Sequence, residues 1–376
     1  MAKQEKPRLM KDGLNRAAIE RIGRNLERAS LDFDATAFTK RVMNGLDDLE
    51  LKERVVHTTK ILRDALPEDY LEALEVLLRA SEVWDSGQEG DALRGFAAWP
   101  VLEFISMYGL EHFQRSMQGL RRMTRLFTAE FAIRPFVIQA QEEVFALLHE
   151  WVKDPDPNVR RLVSEGIRPR LPWAPRLPAL QKDPSPILPL LDALKDDPSL
   201  FVRRSVANNL NDIAKDNPDL VIETCKSWLE NATAERLWII RHATRTLIKE
   251  AHPGIWSLMG YTEKPQVEVT SLVLGADVVQ IGEQLDFSCT LTSNADEVQS
   301  FVLDYAVHHV KANGKTRAKV FKLKNIKLKA GASIELHKKH SFRKITTRKY
   351  YSGIHTIELL VNGKSVAKQD FTLEVS

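Results

Sequence analysis

The sequence of 376 residues has only two cysteines, Cys225 and Cys289. They fall in segments of different periodicity, so neither a disulfide framework nor a thiolate metal site is available, and a reducing cytoplasm fits. None of the ten histidines stands at a zinc-binding spacing, and there is no glycine-rich phosphate loop and no nucleophile-elbow serine. No run approaches the roughly 18 apolar residues that a membrane helix needs. The basic start, residues 1–8, has no apolar stretch behind it, so no secretion signal is expected. What is present is the composition of a folded soluble chain, 43% hydrophobic and 28% charged with a formal net charge of +3. The length suits two domains.

From about Leu14 to Trp256 the apolar residues recur at helical spacing, as in Tyr70-Leu71-Glu72-Ala73-Leu74-Glu75-Val76-Leu77-Leu78. Between such segments stand Asp154-Pro155-Asp156-Pro157, Asp183-Pro184, Asp197-Pro198 and Asn217-Pro218, which read as helix starts. The acid or amide accepts orphan backbone N–H groups, and proline has no N–H to lose. Two of the starts are copies: Asn158-Val159-Arg160-Arg161 after one Asp-Pro, and Phe201-Val202-Arg203-Arg204 after another. Arg160 and Arg203 lie 43 residues apart, and a degenerate third copy around Arg241 follows 38 residues after Arg203. A period near 40 predicts HEAT-like helical repeats, stacked so that the same helix of each repeat lines one face. The alternative is an irregular all-α domain with two similar helix starts.

After Pro265 the period changes to two, in Val267–Thr270, Leu285–Leu291 and Lys319–Lys324. Asn313-Gly314 and Asn362-Gly363 supply hairpin turns. The expected fold is therefore mainly α, a HEAT-like solenoid over residues 1–260, followed by an all-β immunoglobulin-like sandwich over 265–376.

The positive charge is uneven. Between Lys311 and Lys349 there are fourteen basic residues, among them Lys311, Lys315, Lys322 and Lys324, against one acid, Glu335. Such an excess repels itself unless a polyanion neutralises it, and a phosphate backbone is the commonest partner. The alternative is a sheet edge kept unpaired by lysines. In the helical part Arg134 lies near Glu130, Arg161, Arg168 and Arg170 surround Glu165, and Arg203, Arg204, Arg241 and Arg245 continue the series. The equivalent Arg-Arg pairs are expected to form a ladder on one face, gripping DNA phosphates. His308-His309, His337 and His340 lie in strand patterns and read as surface or packing residues. Catalysis then falls to carboxylates. Cleaving a glycosidic bond suits them, because its transition state is an oxocarbenium cation.

The stretches Phe127-Thr128-Ala129-Glu130-Phe131-Ala132-Ile133-Arg134-Pro135-Phe136, Val159–Trp173 and Val202–Asp212 resemble the DNA alkylation repair glycosylases of the AlkC type. Leu303–Lys315 resembles the immunoglobulin-like module that AlkC proteins carry and their AlkD relatives lack. The resemblance spans essentially the whole chain. It implies a bacterial cytoplasmic enzyme, nucleoid-associated when acting, that excises cationic bases such as 3-methyladenine and 3-methylcytosine from alkylated DNA at the helix surface. It also implies no cofactor, no metal, no membrane and a monomer. By the same resemblance Glu130, Glu165 and Asp212 are the candidate catalytic carboxylates.

Each has a plainer alternative: an i,i+4 pair of Glu130 with Arg134, an ion pair of Glu165 with Arg161, and a helix-end charge for Asp212. Trp173 fits either a DNA contact or the core. Asn208 and Asn209 are expected on the DNA face, Asn208 where the AlkD relatives carry tryptophan. The competing function is a non-enzymatic HEAT-repeat scaffold that binds nucleic acid. The acids among arginines argue against it, since each one costs affinity for phosphate.

Overall fold

A computed structural model describes residues 9–345 and 348–375. By internal contacts the chain divides into two compact units, Met1–Asn217 with Ala232–Ala243, and Pro218–Asn231 with Thr244–Ser376.

The first unit is helical throughout its described residues. Its repeat is carried by three helices, Pro157–Glu165, Leu200–Ile213 and Ala234–Ala243, with the middle one packed against both of the others. Asp156 caps the first of them by accepting from the Asn158 N–H at 2.8 Å, with Pro157 in its first turn. At the second copy the expected Asp-Pro start lies slightly early. The helix opens at Leu200 after Ser199, and Asp197 instead closes the preceding turn, accepting from the Ser199 N–H at 2.8 Å.

The copied sequences give copied bonds. Arg160 Nη1 donates to the carbonyls of Asp154 and Pro155 at 2.8 and 3.0 Å; Arg203 Nη1 donates to those of Asp197 and Pro198 at 2.6 and 2.9 Å. Arg160 also donates to the Asp197 carboxylate, and Arg121 in the helix Phe113–Met123 donates to Asp154 at 2.7 Å. The first arginine of each pair thus ties one repeat to its own turn or to the next repeat. It is a charge-assisted structural bond in place of the expected phosphate contact.

The second unit contains the helices Pro218–Leu229, Arg245–Lys249 and Ile255–Leu258 and eight strands. The strands are β1 (Val267–Leu274), β2 (Val278–Gln280), β3 (Gln284–Ser293), β4 (Gln299–Val310), β5 (Thr316–Leu328), β6 (Ser333–Ser341), β7 (Gly353–Val361) and β8 (Lys364–Glu374). One sheet has the order β1-β3-β6, the other β2-β8-β7-β4-β5, antiparallel except for the short β2–β8 pair. Alternate residues such as Leu285, Phe287, Cys289 and Leu291 face Phe301, Leu303, Tyr305, Ile357 and Leu359 in one apolar core, as period-two patterning requires. Both predicted hairpin turns form. Asn362 and Gly363 have φ of 46° and 73°, the pair of positive values a type I′ turn needs. This turn is also an anchor: Asn362 accepts from the Val302 N–H at 2.9 Å and donates to the Thr262 carbonyl at 2.8 Å.

The lysine-rich β5 is the edge of its sheet; Lys322 and Lys324 on it are exposed, and in the turn before it Lys315 is exposed and Lys311 half-buried. His309 and His340 are packing residues, buried with His355 among Tyr305, Phe342 and Tyr350. Cys225 and Cys289 are free and buried, and burial pushes their thiols up to about 12 and about 11. Among the described residues no helix is long and apolar enough to cross a membrane.

Candidate active site

Three segments that are distant in sequence meet in the first unit. Glu130 lies in the turn before the helix Arg134–Gln139, Glu165 ends the helix Pro157–Glu165, and Asp212 lies in the last turn of Leu200–Ile213. Their exposures are 8%, 5% and 1%. Acids that deep need partners, and two arginines supply them. Arg161 Nη2 is 2.8 Å from Glu130 Oε2 and 3.6 Å from Glu165 Oε1. Arg168 Nη1 donates to Glu165 Oε1 at 2.6 Å, and its Nε donates to Asp212 Oδ2 at 2.8 Å. The result is one alternating row of acid, arginine, acid, arginine, acid, which Lys215 closes by donating to Asp212 Oδ1 at 2.9 Å.

Two hydroxyls complete the row. Thr128 Oγ1 accepts from Arg161 at 2.9 Å and donates to Glu130 Oε2 at 2.8 Å; Ser205 Oγ donates to Glu165 Oε2 at 2.6 Å. Both oxygens of Glu165 and of Asp212 are therefore committed. Among the described residues no donor reaches Glu130 Oε1, so of the three acids only Glu130 keeps an oxygen free. No three His, Cys, Asp or Glu side chains among the described residues converge as a metal ion would require.

A cleft of about 300 Å³ opens onto this row, and its other walls are aromatic. Trp99 stacks on Phe131 at 4.9 Å and on Phe127 at 5.1 Å between ring centres, with Phe96 behind them. Such an array presents flat, electron-rich faces toward anything cationic. Trp173 stands at the rim, 55% exposed. Its φ of 65° is the left-handed region, which costs a bulky residue about 1–3 kcal/mol and persists where the surroundings impose it. The Lys52 ammonium donates to its carbonyl. Phe201 lies over the Arg161 guanidinium, 4.7 Å from Cζ to the ring centre.

Sequence reasoning missed this aromatic wall. Phe127 and Phe131 flank Glu130 in its own motif, which was the available signal. Phe96 and Trp99 come from a segment with no motif.

Several residues expected to touch DNA do something else. Arg134 is completely buried and is not paired with Glu130. It donates to the carbonyls of Gly166 and Arg168 at 3.0 Å each and of Pro175 at 2.9 Å, stapling the segment that carries Arg168. Burial, and then the neighbouring Arg168, lower its pKa to about 10. Arg168 and Asn209 are also buried; Asn209 donates to the Ser164 carbonyl at 2.8 Å. Arg203 serves its own turn, as described. These four are scaffold and site-ordering groups because each finds its acceptors inside the unit.

Arg170 pairs with Asp216, while Asn208 and His242 lie 3.1 Å apart. Arg204 and Arg241 are exposed in the first unit, and Arg245 is exposed in the second.

Residues 121–249 match the family described as "DNA alkylation repair enzyme", and residues 268–375 match "Uncharacterised protein YhaZ, C-terminal Ig-like domain". The chain is 36% identical over 363 residues to an uncharacterized protein, YhaZ, of Bacillus subtilis (strain 168), covering 96% of this chain and 98% of that one. A solved structure of the Pseudomonas fluorescens alkylpurine DNA glycosylase AlkC, bound to DNA containing an abasic site analog, superposes with a TM-score of 0.80. It shares 38% identity and is covered over its full length by 98% of this chain. The chain belongs to the AlkC-type family of DNA alkylation repair glycosylases.

Proposed function

We propose that this protein removes cationic alkylated bases, such as 3-methyladenine and 3-methylcytosine, from DNA by hydrolysing the N-glycosidic bond. It works as a monomer, without metal or cofactor, and leaves an abasic site. A base alkylated on the ring is already positively charged. When the C1′–N bond breaks, its electron pair passes to the base and cancels that charge, so no proton donor is needed. The charge moves to the sugar as an oxocarbenium ion, which the row of fixed carboxylates stabilises. Water adds to C1′ and must lose a proton.

The observation that carries this reading is the free oxygen of Glu130. A water held by Oε1 has an acceptor ready for that proton. Glu165 and Asp212, saturated by arginines, serve as fixed negative charge. Arg161 holds Glu130 in place, and the aromatic wall favours the cationic lesion. Trp173, Arg204 and Arg241, with the lysines of β5, meet the DNA.

The test incubates the protein with randomly methylated duplex and measures released bases by chromatography, with a chelator present. Release of 3-methyladenine is expected. Tight binding to methylated DNA with no base released would leave a scaffold that only recognises DNA.

A further inference from the structure

The aromatic wall has a second face. Trp99, Phe131 and Trp173, which bound the carboxylate cleft, also bound a separate cavity of about 290 Å³. That volume is near the lower end for small-molecule sites, about 300–1,000 Å³. The cavity is mostly apolar and is lined by one acid, Glu103, and two cations, Lys52 and the buried Arg134. Burial holds Glu103 above the usual carboxylate range, with the Trp99 indole and Lys52 acting in the other direction. Trp99 lies one helical turn before Glu103 on the helix Trp99–Tyr108. It is 3% exposed, and its indole N–H, close enough to the Glu103 carboxyl to lower that group's pKa, makes no hydrogen bond of good geometry. A buried donor so poorly paired beside a cavity is a place where a well-placed incoming acceptor gains more than it would in water.

We infer that this cavity binds a free, neutral heterocyclic base of the purine class, the kind of molecule the excision reaction liberates; the inference rests on the glycosylase reading above. The leaving base takes the glycosidic electron pair and departs uncharged, flat and with donors and acceptors along its edge. Trp99 and Phe131, stacked on one another with planes 15° apart, both line the cavity and give it aromatic surface against which a flat ring can pack. The indole N–H donates to a ring nitrogen, and the Glu103 carboxyl accepts from an amino group. Lys52 beside it disfavours a cationic ligand, so the cavity distinguishes product from charged lesion. The Lys52 bond to the Trp173 carbonyl fixes the residue that separates the two spaces.

Titration of the full-length protein with free 3-methyladenine, followed by tryptophan fluorescence, tests this. Saturable quenching is expected. It should weaken by about ten-fold or more in Glu103→Ala, which removes the edge hydrogen bond, and in Val56→Phe, which fills the cavity. Glu103→Gln keeps an accepting oxygen and should restore binding. Added 3-methyladenine should slow multiple-turnover excision by wild type and not by Val56→Phe, while single-turnover excision stays equal in the two. Absence of quenching in wild type, or equal affinity in all variants, overturns the inference. A wild type that binds the base and excises nothing would instead overturn the glycosylase reading and leave the cavity standing.

Discussion

Arg168 bridges two acids from different helices, with Nη1 2.6 Å from Glu165 and Nε 2.8 Å from Asp212, and all three side chains are less than 10% exposed. Burial opposes the charge on Arg168, but the two carboxylates outweigh it and raise its pKa. The guanidinium is what permits two anions to sit together out of water.

Arg168→Ala therefore leaves two buried acids facing each other and should cost about 3–5 kcal/mol of stability. Denaturant midpoints measure it. Adding Asp212→Asn should recover part of the loss, since one of the uncompensated charges disappears. A single variant as stable as wild type would contradict the bridging role.

Phe201 touches the machinery through Arg161. Its ring should contribute about 0.5–1 kcal/mol to the placement of that guanidinium. Phe201→Ala should slow single-turnover excision by a factor of about 2–5, with affinity for an abasic duplex almost unchanged, and Phe201→Trp should restore the rate. Equal loss in the alanine and tryptophan variants would mean that Phe201 contacts DNA itself.

The sandwich should be acid-sensitive. His309 and His340 are pushed down from 6.5 to about 3 and about 4, chiefly by burial and then by Arg348, and burial lowers His355 as well. Each stays neutral in the fold below pH 6.5, where the unfolded chain takes up a proton. Stability is therefore full above pH 6.5 and falls as the pH drops toward 4, by up to about 1.4 kcal/mol per pH unit for each histidine. Thermal melts of the second unit between pH 7.5 and 5 should show it. A flat profile would mean that the cluster opens to solvent at little cost.

The lysines of β5, and Lys315 just before it, are expected to meet phosphates. Replacing Lys315, Lys322 and Lys324 by glutamine should lower the salt dependence of duplex binding, by roughly 0.9 in slope for each phosphate no longer neutralised. The slope should change and base release at saturating protein should not. An unaltered slope would assign these lysines to protection of the sheet edge.

The repeat and the sandwich were legible in the sequence because both rest on local rules. Val-Arg-Arg after Asp-Pro repeats a turn chemistry, and period-two alternation marks strands buried on one face. The meeting of Glu130, Glu165 and Asp212 followed from family resemblance together with helical spacing.

The arginines were harder to read. A sequence reports that Arg134 or Arg203 is cationic and near acids, but not that backbone carbonyls of another segment lie within its reach. Arg134 satisfies acceptors on Gly166, Arg168 and Pro175, more than thirty residues away. Trp99 was invisible for the same reason: its partners Phe127 and Phe131 lie in the connection between two later helices, Phe113–Met123 and Arg134–Gln139.

The central claim is that Glu130 Oε1 holds and deprotonates the attacking water. Its most direct test is single-turnover release of 3-methyladenine by Glu130→Gln, with binding to an abasic-site duplex measured alongside. Glutamine keeps the shape and can still bond Arg161 through its carbonyl, but it takes no proton. The rate should fall by about 10²–10⁴-fold, the usual worth of a general base, while duplex affinity changes little. A variant that releases the base at the wild-type rate would contradict the account.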